Sequence, residues 1–134
     1  IMFGAYNKRI KDNRTANDWL TKDTKIVDEN LRDPKWSYKF TANAYIGFLN
    51  VIKYDIDKKN IAKTPDKLPV LFASGLEDPV GDYGKGVKKA FIMYTKYVDY
   101  VDLFLYDDDR HELHSETDRE DIFSDLYEWI EENV

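Results

Sequence analysis

Asp78 and His111 are the residues of this chain whose types and placement best suit joint chemistry. Asp78 stands in Gly75-Leu76-Glu77-Asp78-Pro79-Val80-Gly81, directly after an apolar run over residues 68–74. His111 stands in Arg110-His111-Glu112-Leu113, after a second apolar run, Val101–Tyr106, and the acidic stretch Asp107-Asp108-Asp109. A histidine, titrating near neutrality, can take the proton of a hydroxyl nucleophile and return it to a leaving group. A carboxylate beside it holds the ring tautomer and stabilises the imidazolium. An acid after one parallel strand and a histidine after the next are two members of a triad in the chain order Ser…Asp…His. The third member is absent. The four serines, Ser37, Ser74, Ser115 and Ser124, sit in no Gly-x-Ser-x-Gly elbow, and that pattern occurs nowhere in the chain. None of the four reads as a nucleophile.

Simpler readings stand beside these. Asp-Pro is a common turn opener, and Glu77 is a competing acid. His111 alone would pass for a solvated loop histidine in an acidic patch. His111-Glu112-Leu113-His114 is not His-Glu-x-x-His, because the second histidine comes one residue early. On a helix the two rings could still share a face, with Asp107, Asp108, Asp109 and Glu116 nearby. That set follows no recognised ligand pattern, so no metal and no cofactor is assigned. The run Gly81-Asp82-Tyr83-Gly84-Lys85-Gly86 is neither Gly-x-Gly-x-x-Gly nor Gly-Lys-Ser/Thr. It reads as a flexible connection from a strand into a helix.

These residues need a scaffold. Residues 1–36 are polar and irregular, with a short helix expected over residues 17–22, capped by Thr15 or Asn17, and a stop at Asp33-Pro34. Thr41 is placed to cap a long helix in which Tyr45, Phe48, Leu49, Ile52 and Ile56 form one apolar stripe. That helix should end near residues 57–60. A polar linker containing Pro65 leads to a strand over residues 69–74, whose unbroken apolar character suits a buried parallel strand. Val87, Ala90, Phe91, Tyr94 and Val98 hold helical spacing; strand Val101–Tyr106 follows, then the acidic loop, read as solvated. A last helix carries Ile122, Leu126, Trp129 and Ile130. The order from residue 68 is strand, loop, helix, strand, loop, helix, a crossover unit of a parallel sheet.

Composition narrows the partners. A chain of 134 residues suits one domain, and 43% hydrophobic content is ordinary for globular material. A net charge of −6 argues against nucleic acid, which needs a basic face. The apolar runs are too short to span a bilayer, and no basic amphipathic helix suggests membrane binding. With no cysteine there is no disulfide and no thiolate metal site, which suits a reducing cytoplasm. Asn13-Arg14-Thr15 matches a glycosylation sequon, but nothing else suggests secretion.

Taken together, Gly75–Gly81, Gly84-Lys85-Gly86-Val87, Tyr106, Arg110-His111-Glu112-Leu113 and Glu116 closely resemble the C-terminal part of the monoglyceride lipase/lysophospholipase (serine aminopeptidase-like) branch of the α/β-hydrolases. Gly4-Ala5-Tyr6-Asn7, Thr15-Ala16-Asn17-Asp18-Trp19-Leu20, Asp33-Pro34 and the helix from Thr41 look like the cap of bacterial members. The resemblance implies an α/β fold, the C-terminal portion of an α/β-hydrolase: a short parallel sheet flanked by helices and preceded by a helical cap. It divides the chain into a cap (1–60) and a β-α-β-α core part (61–134), with Asp78 as triad acid and His111 as triad base. It implies hydrolysis of carboxylic esters such as monoacylglycerols or lysophospholipids. Cap aromatics such as Tyr6, Trp19, Trp36, Phe40, Tyr45 and Phe48 could line an apolar pocket or pack the cap. Without the serine elbow, the chain reads as a fragment, inactive alone. The alternative is a non-catalytic interaction domain on a hydrolase scaffold. The small sheet, with an unpaired strand edge, leads to the expectation of a homodimer or larger assembly.

Overall fold

The computed structural model describes residues 5–11, 13–36 and 39–134. Its elements are a 3₁₀ turn at Tyr6–Arg9, α1 (Thr24–Arg32), α2 (Ala42–Asp55), α3 (Lys58–Ile61), β1 (Val70–Gly75), α4 (Lys85–Tyr94), β2 (Val101–Tyr106), a second 3₁₀ turn at Leu113–Ser115, and α5 (Arg119–Asn133). The class is α/β. The two strands pair in parallel, in register from Val70 opposite Val101 to Gly75 opposite Tyr106. Helix α4 joins them and packs on both. The buried apolar side chains are Trp19, Leu20, Val27, Ile61, Val98 and Ile122.

The strand and helix order from residue 68 follows the expected one. β2 has the expected bounds, and β1 lies one residue later than expected. Thr41 caps α2 as its spacing implies, its hydroxyl accepting the Ala44 amide at 3.2 Å. The helix stops at Asp55, because the Asp57 carboxylate accepts the Lys59 amide and starts the short α3.

The N-terminal stretch departs from expectation. Residues 17–22 form turns and not a helix. The Asp18 carboxylate draws in the amides of Arg14 (2.5 Å) and Thr15 (3.2 Å) and the Thr15 hydroxyl (2.5 Å), closing the chain on itself. Burial alone would raise this carboxyl, but those bonds and the Arg14 guanidinium hold it below the usual range. The helix comes later, as α1. Asp23 caps it by accepting the amides of Lys25 and Ile26, and it ends just before Asp33-Pro34.

The apolar stripe of α2 is also not where a core would put it. Phe48, Leu49, Ile52 and Ile56 are exposed, and so are Ile46 and Val51 on its other faces. The helix packs mainly on α3.

Candidate functional site

Both loops of interest leave the same end of the sheet, because β1 and β2 are parallel neighbours. The ladder continues past the strands: the Leu76 amide donates to the Tyr106 carbonyl at 2.9 Å, and the Glu77 amide to the Asp109 carbonyl at 2.8 Å. Gly75 permits this approach. A Cβ there would lie 2.1 Å from the Asp109 carbonyl oxygen and 2.4 Å from that of Arg110, far inside contact distance. Any side chain would push the two loops apart.

Asp78 is turned inward by its own backbone. Its Oδ1 accepts the Val80 amide at 2.7 Å across Pro79, closing a side-chain turn. Its carbonyl accepts the Tyr83 amide at 2.8 Å. The chain then enters α4 through Gly84, whose φ of +76° and contact with the Leu76 side chain exclude a Cβ. The glycine run thus builds the turn into α4. Tyr83 in this turn also lies under the Arg9 guanidinium, 3.6 Å from ring centroid to Cζ.

His111 meets Asp78 across the gap, with Nδ1 and Oδ2 3.2 Å apart. The Asp78 side chain is 9% exposed and that of His111 37%. An ionised carboxylate only accepts, so Nδ1 carries the proton and a neutral ring keeps its lone pair on Nε2. The bond to Asp78 raises the His111 pKa above its ordinary value; burial opposes this, and the charges of Asp78 and Glu112 reinforce it. The pair can therefore orient an imidazole and stabilise its protonated form.

None of Ser74, Ser115 and Ser124 is hydrogen-bonded to either member of this pair, although the Ser74 hydroxyl and Asp78 Oδ2 both face Gly81. Ser74 is buried with its hydroxyl on the Gly75 carbonyl, Ser115 bonds Glu112, and Ser124 reaches Glu128 from α5. Ser37 and Gly4 lie outside the described residues. His114 sits in the 3₁₀ turn and shares no helix with His111. Among the described residues no cluster of three or more carboxylate or imidazole side chains is arranged to hold a metal ion.

Asp107 and Asp108 of the acidic loop are exposed as expected, but Asp109 is not. Asp109 is buried and bonded to the Lys22 ammonium, which also lies 3.0 Å from the Asp118 carboxylate. Burial would lower the Lys22 pKa, but its bonds to the two acids raise it. Glu116, whose role the sequence did not disclose, is fully buried. Its Oε1 accepts the Arg110 amide at 2.7 Å, and its Oε2 the Thr21 hydroxyl and the Lys22 amide, both at 2.9 Å. The Arg110 guanidinium caps the carbonyls of Asp18 (2.6 Å) and Thr21 (3.0 Å). Trp19 lies beside the histidine, ring centroids 5.2 Å apart, and Tyr6 packs on Trp19 edge-on at 4.9 Å. Arg110 and Glu116 flank His111 in sequence, which was a visible signal; their partners are some ninety residues upstream.

A cavity of about 330 Å³ between β2 and α5 is lined by Phe104, Asp125, Glu128, Trp129 and Glu132, with no member of the Asp78–His111 pair.

Comparison with known proteins agrees with this architecture. A highly thermostable carboxyl esterase from Bacillus coagulans, solved in complex with glycerol, superposes over 98% of this chain with a TM-score of 0.85 and 26% identity. A lipase in its open form superposes over 98% with a TM-score of 0.84, also at 26% identity. The chain spans 43% of the length of each. No curated protein matches it. The model of the family described as serine aminopeptidase, S33 matches residues 2–118, and the chain belongs to that hydrolase family.

Proposed function

We propose that this chain is the C-terminal part of a serine hydrolase that cleaves carboxylic esters, with Asp78 as the triad acid and His111 as the general base. The observation that carries this reading is the 3.2 Å approach of His111 Nδ1 to Asp78 Oδ2, at the shared end of two parallel strands. In the reaction, His111 Nε2 takes the proton of a serine hydroxyl as the oxygen attacks the ester carbonyl. Asp78 stabilises the imidazolium that forms. The imidazolium then protonates the departing alcohol, and water repeats the sequence on the acyl-enzyme. The serine, and the donors for the tetrahedral oxyanion, belong to a segment outside these residues.

Residues 1–60 form the cap of this reading and residues 61–134 the core part. The apolar surface of α2 suits an acyl chain, and the reading extends to monoacylglycerol- or lysophospholipid-like substrates. Family membership and the esterase and lipase neighbours support ester hydrolysis as the reaction class. Among the described residues no helix is long and apolar enough to cross a membrane. A cysteine-free chain suits the cytoplasm as its site of action.

The test compares this chain with the protein extended upstream to include a Gly-x-Ser-x-Gly segment, using p-nitrophenyl esters, monoacylglycerols and lysophospholipids. The 134-residue chain should show no turnover above background. The extended protein should hydrolyse esters and lose this with His111→Ala. Turnover by the short chain that His111→Ala abolishes would overturn the reading.

A further inference from the structure

Glu116 lies deeper than either proposed triad member, and the reaction gives it no task. Its carboxylate carries no cation of its own, since the nearby Lys22 ammonium bonds Asp109 and Asp118. Instead it gathers three neutral donors, two from the upstream segment and one from the histidine loop; the Thr21 hydroxyl is shared with the Ser115 carbonyl, also at 2.9 Å. Burial raises its pKa, while those three donors favour the charged form. A carboxylate withdrawn from water at such cost is tolerated only where donors surround it.

What it organises is the backbone on either side of His111. The Arg110 amide immediately precedes the histidine. Thr21 and Lys22 end the segment whose Trp19 and Leu20 carbonyls accept the amides of His111 (3.4 Å) and Glu112 (2.7 Å). The same segment lays the Trp19 ring against the imidazole. We propose that Glu116 is a positioning residue for His111: by clamping Arg110 to Thr21 and Lys22, it sets the distance of the imidazole from Asp78 and seats Trp19 against its face. This rests on the reading of His111 as the base, and it links the start of the proposed cap directly to that base.

The test is nitrogen-15 NMR on the 134-residue chain, which needs no turnover. The charged groups facing His111 are Asp78 and Glu112; the Arg110 guanidinium is turned to the carbonyls of Asp18 and Thr21. In the native chain the His111 Nδ1 proton should resonate far downfield, and the ring should titrate above the ordinary value of about 6.5. Glu116→Gln and Thr21→Val should each lose that proton signal to exchange and move the midpoint toward 6.5. Thr21→Ser, which keeps the hydroxyl, should restore both. Ile61→Ala, which opens the core at α3, away from the histidine loop, should change neither. If Glu116→Gln does not fold, Thr21→Val against Thr21→Ser decides. An unchanged midpoint and proton signal in folded Thr21→Val, or an equal change in Ile61→Ala, would overturn the proposal. An extended protein without esterase activity would remove the triad reading and leave this result standing.

Discussion

Around His111, the carboxylates of Glu116 and Asp109 are 0% and 1% exposed, and each has donors reaching it from more than eighty residues upstream. Along α2, Phe48 and Leu49 are 56% and 53% exposed, with Ile46, Val51 and Ile56 similarly bare. The usual distribution is reversed: acids are inside and large apolar groups are outside. The first region is ordered by bonds the chain makes with itself. The Glu116 and Asp109 carboxylates both have donors, the condition under which burying them is tolerable. The second region is a helix apolar on nearly all sides, a pattern that ordinarily belongs to a buried helix. The bonds that order the His111 loop thus lie within this chain, while α2 presents a surface suited to apolar contact.

The largest expected effect tests the first region's chemistry. In the extended protein, His111→Ala should lower kcat by about 10⁶ and Asp78→Asn by about 10⁴. His114→Ala should lower it less than about threefold, within the range of an uninvolved surface residue. Equal losses at His114 and His111 would break the assignment of roles.

The comparison itself is tested by stability. Glu116→Ala leaves the Arg110 and Lys22 amides without their acceptor, while the Thr21 hydroxyl keeps the Ser115 carbonyl, and should cost about 2 kcal/mol or more in urea unfolding of the 134-residue chain. Leu49→Ser on α2 should stay within about 0.5 kcal/mol, because the side chain is already in water. Similar costs at the two positions would mean that α2 is covered in solution.

A cover by a second copy is the next outcome to separate. Sedimentation equilibrium over a concentration series should show mass above the 15.8 kDa of one chain. Pairing through the open strand edge should leave that mass unchanged when α2 is charged by Phe48→Lys with Leu49→Lys; a fall to the monomer would instead place the contact on α2. A monomer at all concentrations would place the whole of α2 in solvent.

The smallest effect is the pH dependence. The bond to Asp78 raises the His111 pKa in the folded chain, so the folded state holds the proton more tightly than the unfolded one. This stabilisation is fully present below about pH 6.5, the unfolded value, and is lost as pH rises through the folded value. The Asp78→Asn variant should lack that slope in urea midpoints taken between acid and alkaline pH. The same shift means that kcat/KM of the extended protein should rise with pH through a midpoint above about 6.5, because the base works only when neutral.

How far these residues were legible depends on the range of the interactions that fix them. Asp78 and His111 stood out because each follows an apolar run at a strand end, and the Thr41 cap could be read from its own neighbours. α1 was missed because Asp18 and Thr21 spend their side chains on turns and distant partners, leaving Asp23 as the cap. The α2 stripe was legible as a helix but not as a core, since periodicity reports a face and not what covers it.

By itself, then, the sequence determined the α/β order of strands and helices and the two candidate residues. Both are written in local patterns: unbroken apolar runs, helical spacing, and turn residues at the strand ends. Only the tertiary structure decided that Asp78 and His111 meet, that Asp109 is buried against Lys22, and that Glu116 fastens the histidine loop to Thr21 and Lys22. Those contacts join residues 33 to 95 positions apart. No local pattern encodes such pairings; they exist because parallel strands bring two loops to one end and withdrawn polar groups must find donors there.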